Sequence, residues 1–224
     1  MHICFFDIDG TLLLSGGAGQ AAMEAALVAE FQTQEEPHGI SAAGRTDRAI
    51  VTDLMAFYGI EHDDAVYERF LGVYLTHLPK HLSTGGGAVL PGVEDVLEAL
   101  HTRDDVRLGL LTGNYAQGAE AKLKHFGLHH YFQFGGYGDR HTDRADVARE
   151  ALAAYRELHP ECSTEDTLWV IGDTPHDITC GRAIDANVIA VATGMFTSEE
   201  LAQYEPDHLF DDFSDVKRML AVFP

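Results

Sequence analysis

Residues 3–8 form an apolar, β-rich run that closes on two carboxylates bracketing one residue, then a turn glycine and a hydroxyl: Asp7, Asp9, Gly10 and Thr11. A run of this length and composition predicts a buried strand. Strand side chains alternate in direction, so Asp7 and Asp9 face one side together if the chain stays extended. Two like charges that close are costly unless a cation neutralises them, which points to a divalent metal site.

The rest of the chain falls into two patterns. Residues 20–31, 47–58 and 63–78 carry apolar side chains at helical spacing: Ala22, Met23, Ala26 and Leu27, then Ile50, Leu54 and Met55, then Val66, Phe70, Val73 and Tyr74. Glycine-rich breaks at 15–17 and 83–87 flank this helical module. From Pro91 onward, helices and strands alternate. Helices are expected over 93–100, 116–126, 144–158, 176–184, 198–203 and 213–220, and strands over 106–112, 131–134, 167–172, 188–191 and 208–210. That alternation predicts an α/β fold, a doubly wound parallel sheet with helices on both faces. The expected division is a core of residues 1–14 and 88–224 with a helical insertion over 15–87. Ligands in such folds bind beyond the carboxyl ends of the strands, where Asp7, Thr112 and Asp173 all fall.

Composition narrows the classes. A chain of 224 residues, 46% hydrophobic and 23% charged, can bury a sizeable core. No apolar run approaches the roughly 20 residues needed to span a bilayer. The chain enters its first strand at Ile3, so no cleavable signal is expected. Cys4, Cys162 and Cys180 lack metal-ligand spacing, and Cys4 and Cys180 read as core residues, which fits a reducing, cytoplasmic compartment. A formal charge of −21 argues against nucleic acid or an anionic membrane as a partner. The thirteen histidines, His129, His130, His141 and His176 among them, show no fixed ligand spacing. His176 lies nearest the expected chemistry but reads equally as a solvent-facing helix start.

Three strand-end motifs occur in order. Asp-x-Asp-Gly-Thr stands at Asp7, Asp9, Gly10 and Thr11; Thr112 ends the apolar run 106–111; Gly172, Asp173 and Asp177 follow the run 167–171. This set resembles the haloacid dehalogenase superfamily of phosphohydrolases, in the branch of phosphoglycolate phosphatase and β-phosphoglucomutase, over residues 1 to about 195. In that family a helical cap is inserted where residues 15–87 lie here. The third family motif is normally a lysine near a helix start, and this chain offers Arg140 and Arg144 instead. Arg144 opens the amphipathic stretch 145–158 and is preferred; Arg140 is the alternative, with Lys122 or Lys124 the next places to look. Arginine neutralises phosphate and carboxylate bidentately but is not a geometric copy of lysine.

The resemblance implies a Mg2+-dependent phosphatase acting on a small phosphorylated metabolite. Asp7 is the implied nucleophile, forming an aspartyl-phosphate, and Asp9 the implied acid and base. Mg2+ is expected on the Asp7 and Asp173 side chains and the Asp9 carbonyl, with Asp177 binding or orienting beside it. Asp177 reads equally as a helix N-terminal charge. Thr112, with backbone N–H groups around Gly113 and Asn114, is expected to hold the transferring phosphate; Asn114 alternatively caps the next helix. Arg45, in a glycine turn before residue 47, either contacts substrate from the cap or is a solvated charge. A phosphoglucomutase-type phosphotransferase and a phosphate-binding protein without catalysis remain as rivals. Dehalogenation is disfavoured, because relatives with that activity lack the second aspartate.

Overall fold

The structure, a computed structural model, describes residues 1–34, 39–160, 163 and 165–223. Its strands are β1 (His2–Phe6), β2 (Leu13–Leu14), β3 (Ala88–Val89), β4 (Val106–Leu111), β5 (Phe134–Gly136), β6 (Thr167–Gly172), β7 (Asn187–Val191) and β8 (His208–Phe210). Its helices are α1 (Ala18–Phe31), α2 (Asp47–Phe57), α3 (Asp64–Thr84), α4 (Val93–His101), α5 (Ala116–His125), α6 (Arg144–Leu158), α7 (Pro175–Arg182), α8 (Ser198–Ala202) and α9 (Val216–Leu220). Six strands make one sheet in the order β5-β4-β1-β6-β7-β8, and every neighbouring pair is parallel.

Strand alternation explains how both faces of that sheet are covered. Cys4 and Phe6 of β1 turn to one face, against Val96 and Leu97 of α4, Leu123 of α5 and Met219 of α9. Ile3 and Phe5 turn to the other, against Val147, Ala151 and Tyr155 of α6 and Cys180 of α7. Each fully buried Phe or Ile of this kind contributes about 1.5–3 kcal/mol relative to exposure. Cys4 and Cys180 are buried thiols, as their positions in apolar segments predict; Cys162 lies outside the described residues.

α1, α2 and α3 bury a separate apolar cluster around Met23, Leu54, Phe70 and Tyr74, joined from the core by Tyr115. The chain leaves the core through β2 and re-enters through β3, and these two pair antiparallel, Leu13 opposite Val89 and Leu14 opposite Ala88. This small pair has no counterpart in the sequence reading, because two residues carry no periodicity.

Other elements differ from expectation in position. α3 runs on to Thr84, through Pro79, so the second glycine-rich break is confined to 85–87. β5 starts at Phe134 instead of ending there, and His129–Tyr131 is a single 3-10 turn. The cause lies in the partner strand. Gly109 has no side chain, and the Phe134 ring occupies the space its Cβ would fill, which sets the Gly109–Phe134 register. α9 begins at Val216 because the Asp215 side chain accepts from Arg218 N–H, while Phe213 enters the core.

Candidate active site

β1 pairs with β6 through the Asp7 N–H, which donates to Ile171 O at 3.0 Å, and then the chain turns. Leu12 and Leu13 N–H both reach back to Ile8 O, and Gly10 sits at φ 86, a left-handed conformation that glycine adopts without strain. The strand therefore ends before Asp9, and the expected extended pair of carboxylates becomes a tight loop carrying Asp7 and Asp9 separately. The loop also throws Thr11 inward, where its hydroxyl donates to Asp173 Oδ1 at 2.8 Å.

At the adjacent end of β6, Asp173 lies against two glycines. A Cβ at Gly10 or at Gly194 would overlap its carboxylate. α7 opens with Pro175 at its first turn and a reciprocal cap, in which the Thr174 hydroxyl accepts from Asp177 N–H and Asp177 Oδ2 accepts from Thr174 N–H. That cap fixes Asp177 with Oδ2 also taking the Thr174 hydroxyl at 2.7 Å, while Oδ1 takes the Arg144 guanidinium. Arg144, at the start of α6, is 5% exposed and places its other terminal nitrogen 3.5 Å from Asp7 Oδ1. Asp177 thus caps a helix, as one reading of it expected, and also belongs to a buried acidic group.

Asp7, Asp173 and Asp177 bring one carboxylate oxygen each within 4.8 Å of one another. Burial pushes the Asp7 carboxyl upward, and Asp177 and Asp9 add to this while Arg144 and Thr112 oppose it. Burial likewise raises Asp173, reinforced by Asp177 and Asp7. Three buried carboxylates balanced by one arginine leave room in charge for a hard divalent cation, and oxygen donors suit one. The donor set fits Mg2+, with Asp7 and Asp173 as the ligands whose oxygens are least committed and Asp177 locked behind them by Arg144 and Thr174.

Asp9 is neutralised differently. Its Oδ2 takes Lys122 Nζ at 2.5 Å and Asn114 Nδ2 at 2.9 Å, and its Oδ1 takes the Ser15 hydroxyl at 2.9 Å. Burial disfavours the charge, yet Lys122, Asn114 and Ser15 together outweigh it and hold Asp9 below the ordinary carboxylate range. Lys122 is buried in α5, and its Nζ also donates to Asn114 Oδ1 at 2.6 Å. Asn114 completes a chain by donating Nδ2–H to Thr112 Oγ1 at 2.8 Å. The Thr112 hydroxyl in turn favours the ionised form of Asp7.

The expected residues Asp7, Asp9, Thr112, Gly113, Asn114, Arg144, Asp173 and Asp177 therefore meet at the carboxyl ends of β1, β4 and β6. Arg140 is exposed, and Lys124 is exposed and paired with Glu120. Arg45 approaches by its main chain: a Cβ on Gly113 would overlap Arg45 O, while the Arg45 guanidinium bonds Asp53 at 2.6 Å. His176 is exposed and packs at Gly44 of the inserted segment, and His141 pairs with Glu150. Lys122 has the clearest contact that helical periodicity alone does not reveal. Asp47 is another: its N–H donates to Gly113 O at 2.7 Å and its carboxylate accepts from Tyr115 N–H at 2.8 Å, pinning α2 onto the loop after β4.

A cavity of about 440 Å³ opens over these groups, between the sheet edge and α1 and α2. No helix among the described residues is long and apolar enough to cross a membrane.

Comparison with known proteins bears on the family and the fold. A family profile described as haloacid dehalogenase-like hydrolase matches residues 4–191. A phosphoglycolate phosphatase from Salmonella paratyphi A is 25% identical over 228 residues, covering 94% of this chain and 89% of that protein. A crystal structure described as a predicted phosphoglycolate phosphatase from Haemophilus somnus superposes with a TM-score of 0.70 at 20% identity, over 97% of each chain. CbbY from Rhodobacter sphaeroides in complex with phosphate gives a TM-score of 0.73 at 19% identity, over 96% of this chain and 95% of that one. At such identities the two structures speak to the fold.

Proposed function

The chain belongs to the haloacid dehalogenase-like hydrolases, and from that premise we propose that it is a Mg2+-dependent phosphatase of small phosphorylated metabolites, working through an aspartyl-phosphate in the manner of the phosphoglycolate phosphatase branch. One observation carries this reading. Two carboxylates with opposite electrostatic settings, Asp7 and Asp9, share a cavity with Arg144, Asn114 and Asp173. Residues 15–87 act as the cap over that cavity, and residues 1–14 and 88–224 as the catalytic core.

Asp7 attacks the phosphorus in line with the leaving oxygen, and the bond to that oxygen breaks as the acyl phosphate forms. Arg144 faces Asp7 and balances charge on the transferring group. Thr112, whose oxygen already accepts from Asn114, is free to turn its proton to a phosphate oxygen. Mg2+ held by Asp7, Asp173 and the Asp9 carbonyl would supply Lewis-acid charge stabilisation to the phosphate. Asp9 donates a proton to the departing oxygen. It then takes one from the water that attacks the acyl phosphate, which frees inorganic phosphate and restores the Asp7 carboxylate. In the arrangement observed, Lys122 and Asn114 hold Asp9 ionised, the form the second step needs; the first step requires it to leave Lys122 and gain a proton.

Turnover of p-nitrophenyl phosphate tests the reading. Activity is expected with added Mg2+, to be lost in chelator, and to fall to background in Asp7→Asn with its circular dichroism unchanged. Full turnover in chelator, or in Asp7→Asn, would sink the mechanism.

A further inference from the structure

The cavity lining is chemically mixed. It holds the acidic groups and the cations already described, together with an apolar wall of Leu14, Met23, Ile40, Ile50, Leu54 and Met195. Met23, Ile50 and Leu54 are buried parts of the insertion's own core, whereas Leu14 and Met195 stand 48% and 82% exposed at the lip. Apolar side chains at the mouth of a polar site suit an occupant that covers them.

The cations decide what the occupant carries. Three line the cavity among the described residues: Arg45, Lys122 and Arg144. Arg144 is taken by Asp7 and Asp177 at the phosphate end. Lys122 is taken by Asp9 and Asn114. Arg45 is taken by Asp53, and its other nitrogen bonds Ser41 O at 3.2 Å, within the insertion itself. A second anionic group on the substrate would have to displace Asp53 from Arg45, or Asp9 and Asn114 from Lys122, to gain a partner beside the apolar wall. An anion moved out of water without a partner is strongly disfavoured, and an uncharged chain would gain contact with the same wall.

We infer that the leaving group accepted by this site is an uncharged, partly apolar alcohol, so that the substrate is a neutral-tailed phosphate monoester and not a phosphorylated hydroxy acid. This rests on the phosphatase reading above. Gln20, which donates Nε2–H to Glu24 at 2.9 Å, is a neutral polar side chain in the same lining.

Phosphate release from ethyl phosphate, n-butyl phosphate and 2-phosphoglycolate, measured with Mg2+, tests the inference. All three release alkoxide-type leaving groups, so the comparison reads binding of the tail. The expected kcat/KM for n-butyl phosphate exceeds those for 2-phosphoglycolate and for ethyl phosphate by at least about tenfold each, since even one methylene in an apolar pocket commonly changes kcat/KM by about tenfold or more. A cation placed on the wall should reverse the order. Ile50→Lys, and Leu14→Lys at the exposed lip where folding is not at stake, should each move the butyl-to-glycolate ratio by at least about tenfold toward 2-phosphoglycolate. A wild-type preference for 2-phosphoglycolate, or a ratio unmoved in both variants, overturns the inference while leaving the phosphatase reading intact. If none of the esters nor p-nitrophenyl phosphate is cleaved, the phosphatase reading itself has failed.

Discussion

Arg144 joins three parts of the molecule: α6, on which it stands, the loop after β1 through Asp7, and the α7 cap through Asp177. Burial opposes its charge, but Asp177 and Asp7 more than compensate and raise its pKa. Arg140, a few residues earlier, is exposed. Arg144→Ala is therefore expected to lower kcat by about 10²–10³, while Arg140→Ala stays within about twofold. Arg144→Lys should keep part of the rate, because charge survives and the planar fork does not. The same Arg144→Ala change strands Asp177 as a buried, unpaired charge, and urea unfolding should report a loss of about 3–5 kcal/mol. Equal rates for the two alanine variants would place the third cation elsewhere. The carboxylates were legible in the sequence because each closes an apolar run at a strand end. The cations were legible only in part. Arg144 could be placed by its position at a helix start. Lys122 sits in a segment whose two lysines, Lys122 and Lys124, look alike, and only the packing of α5 turns one inward to Asp9 and leaves the other in solvent with Glu120.

At the scale of elements, the N-terminus of α2 is fastened to the loop after β4. The Thr46 hydroxyl caps the helix, accepting from Ala49 N–H at 3.2 Å, and Asp47 bonds the Tyr115 N–H. Burial raises the Asp47 carboxyl from 3.8 to about 6, against the pull of Lys122 and the Tyr115 N–H. The folded state thus binds this proton more tightly than the unfolded chain does. Its contribution is full below the unfolded value and is lost as pH rises through the folded one. Between pH 4.5 and 6.5 wild type should lose about 2 kcal/mol that Asp47→Asn retains, at 1.36 kcal/mol per pKa unit. Asparagine keeps the acceptor for Tyr115, so the two stability curves should differ in slope more than in enzyme content. Parallel urea midpoints across that range would show that Asp47 is ionised throughout. Helix existence was readable from periodicity, as α1, α2, α4 and α6 illustrate. Boundaries were not, where a tertiary contact sets them: Phe134 over Gly109 begins β5, and Asp215 begins α9.

At the scale of the molecule, the alternation of strands and helices from Pro91 onward specified the parallel sheet, and the order of motifs along the chain specified which strand ends meet. What periodicity could not supply is how the inserted helices are fastened. Asp47 N–H to Gly113 O, and Arg48 to Asp139 O at 3.1 Å, tie α2 to the core across long stretches of sequence. The β2–β3 pair sets the geometry of departure and return. Leu13 and Leu14 face Val89 and Ala88 as the two arms of an ordinary hairpin do, so topologically the whole insertion is the loop of a β-hairpin. A hairpin depends only weakly on the length of its loop, because closure entropy grows with the logarithm of that length. Joining Leu14 to Ala88 through Asn-Gly, the favoured two-residue turn, should accordingly leave a shortened chain that still melts cooperatively and keeps its sheet by circular dichroism. It should also lose selectivity for the alcohol, since the greater part of the apolar wall departs with the loop. A shortened chain that unfolds or aggregates would mean that the insertion is structural to the sheet. In heritable terms, the hairpin would make the insertion a replaceable cassette on the proposed reading, in which substrate range changes while Ser15, the one described residue of the insertion bonded to Asp9, is kept.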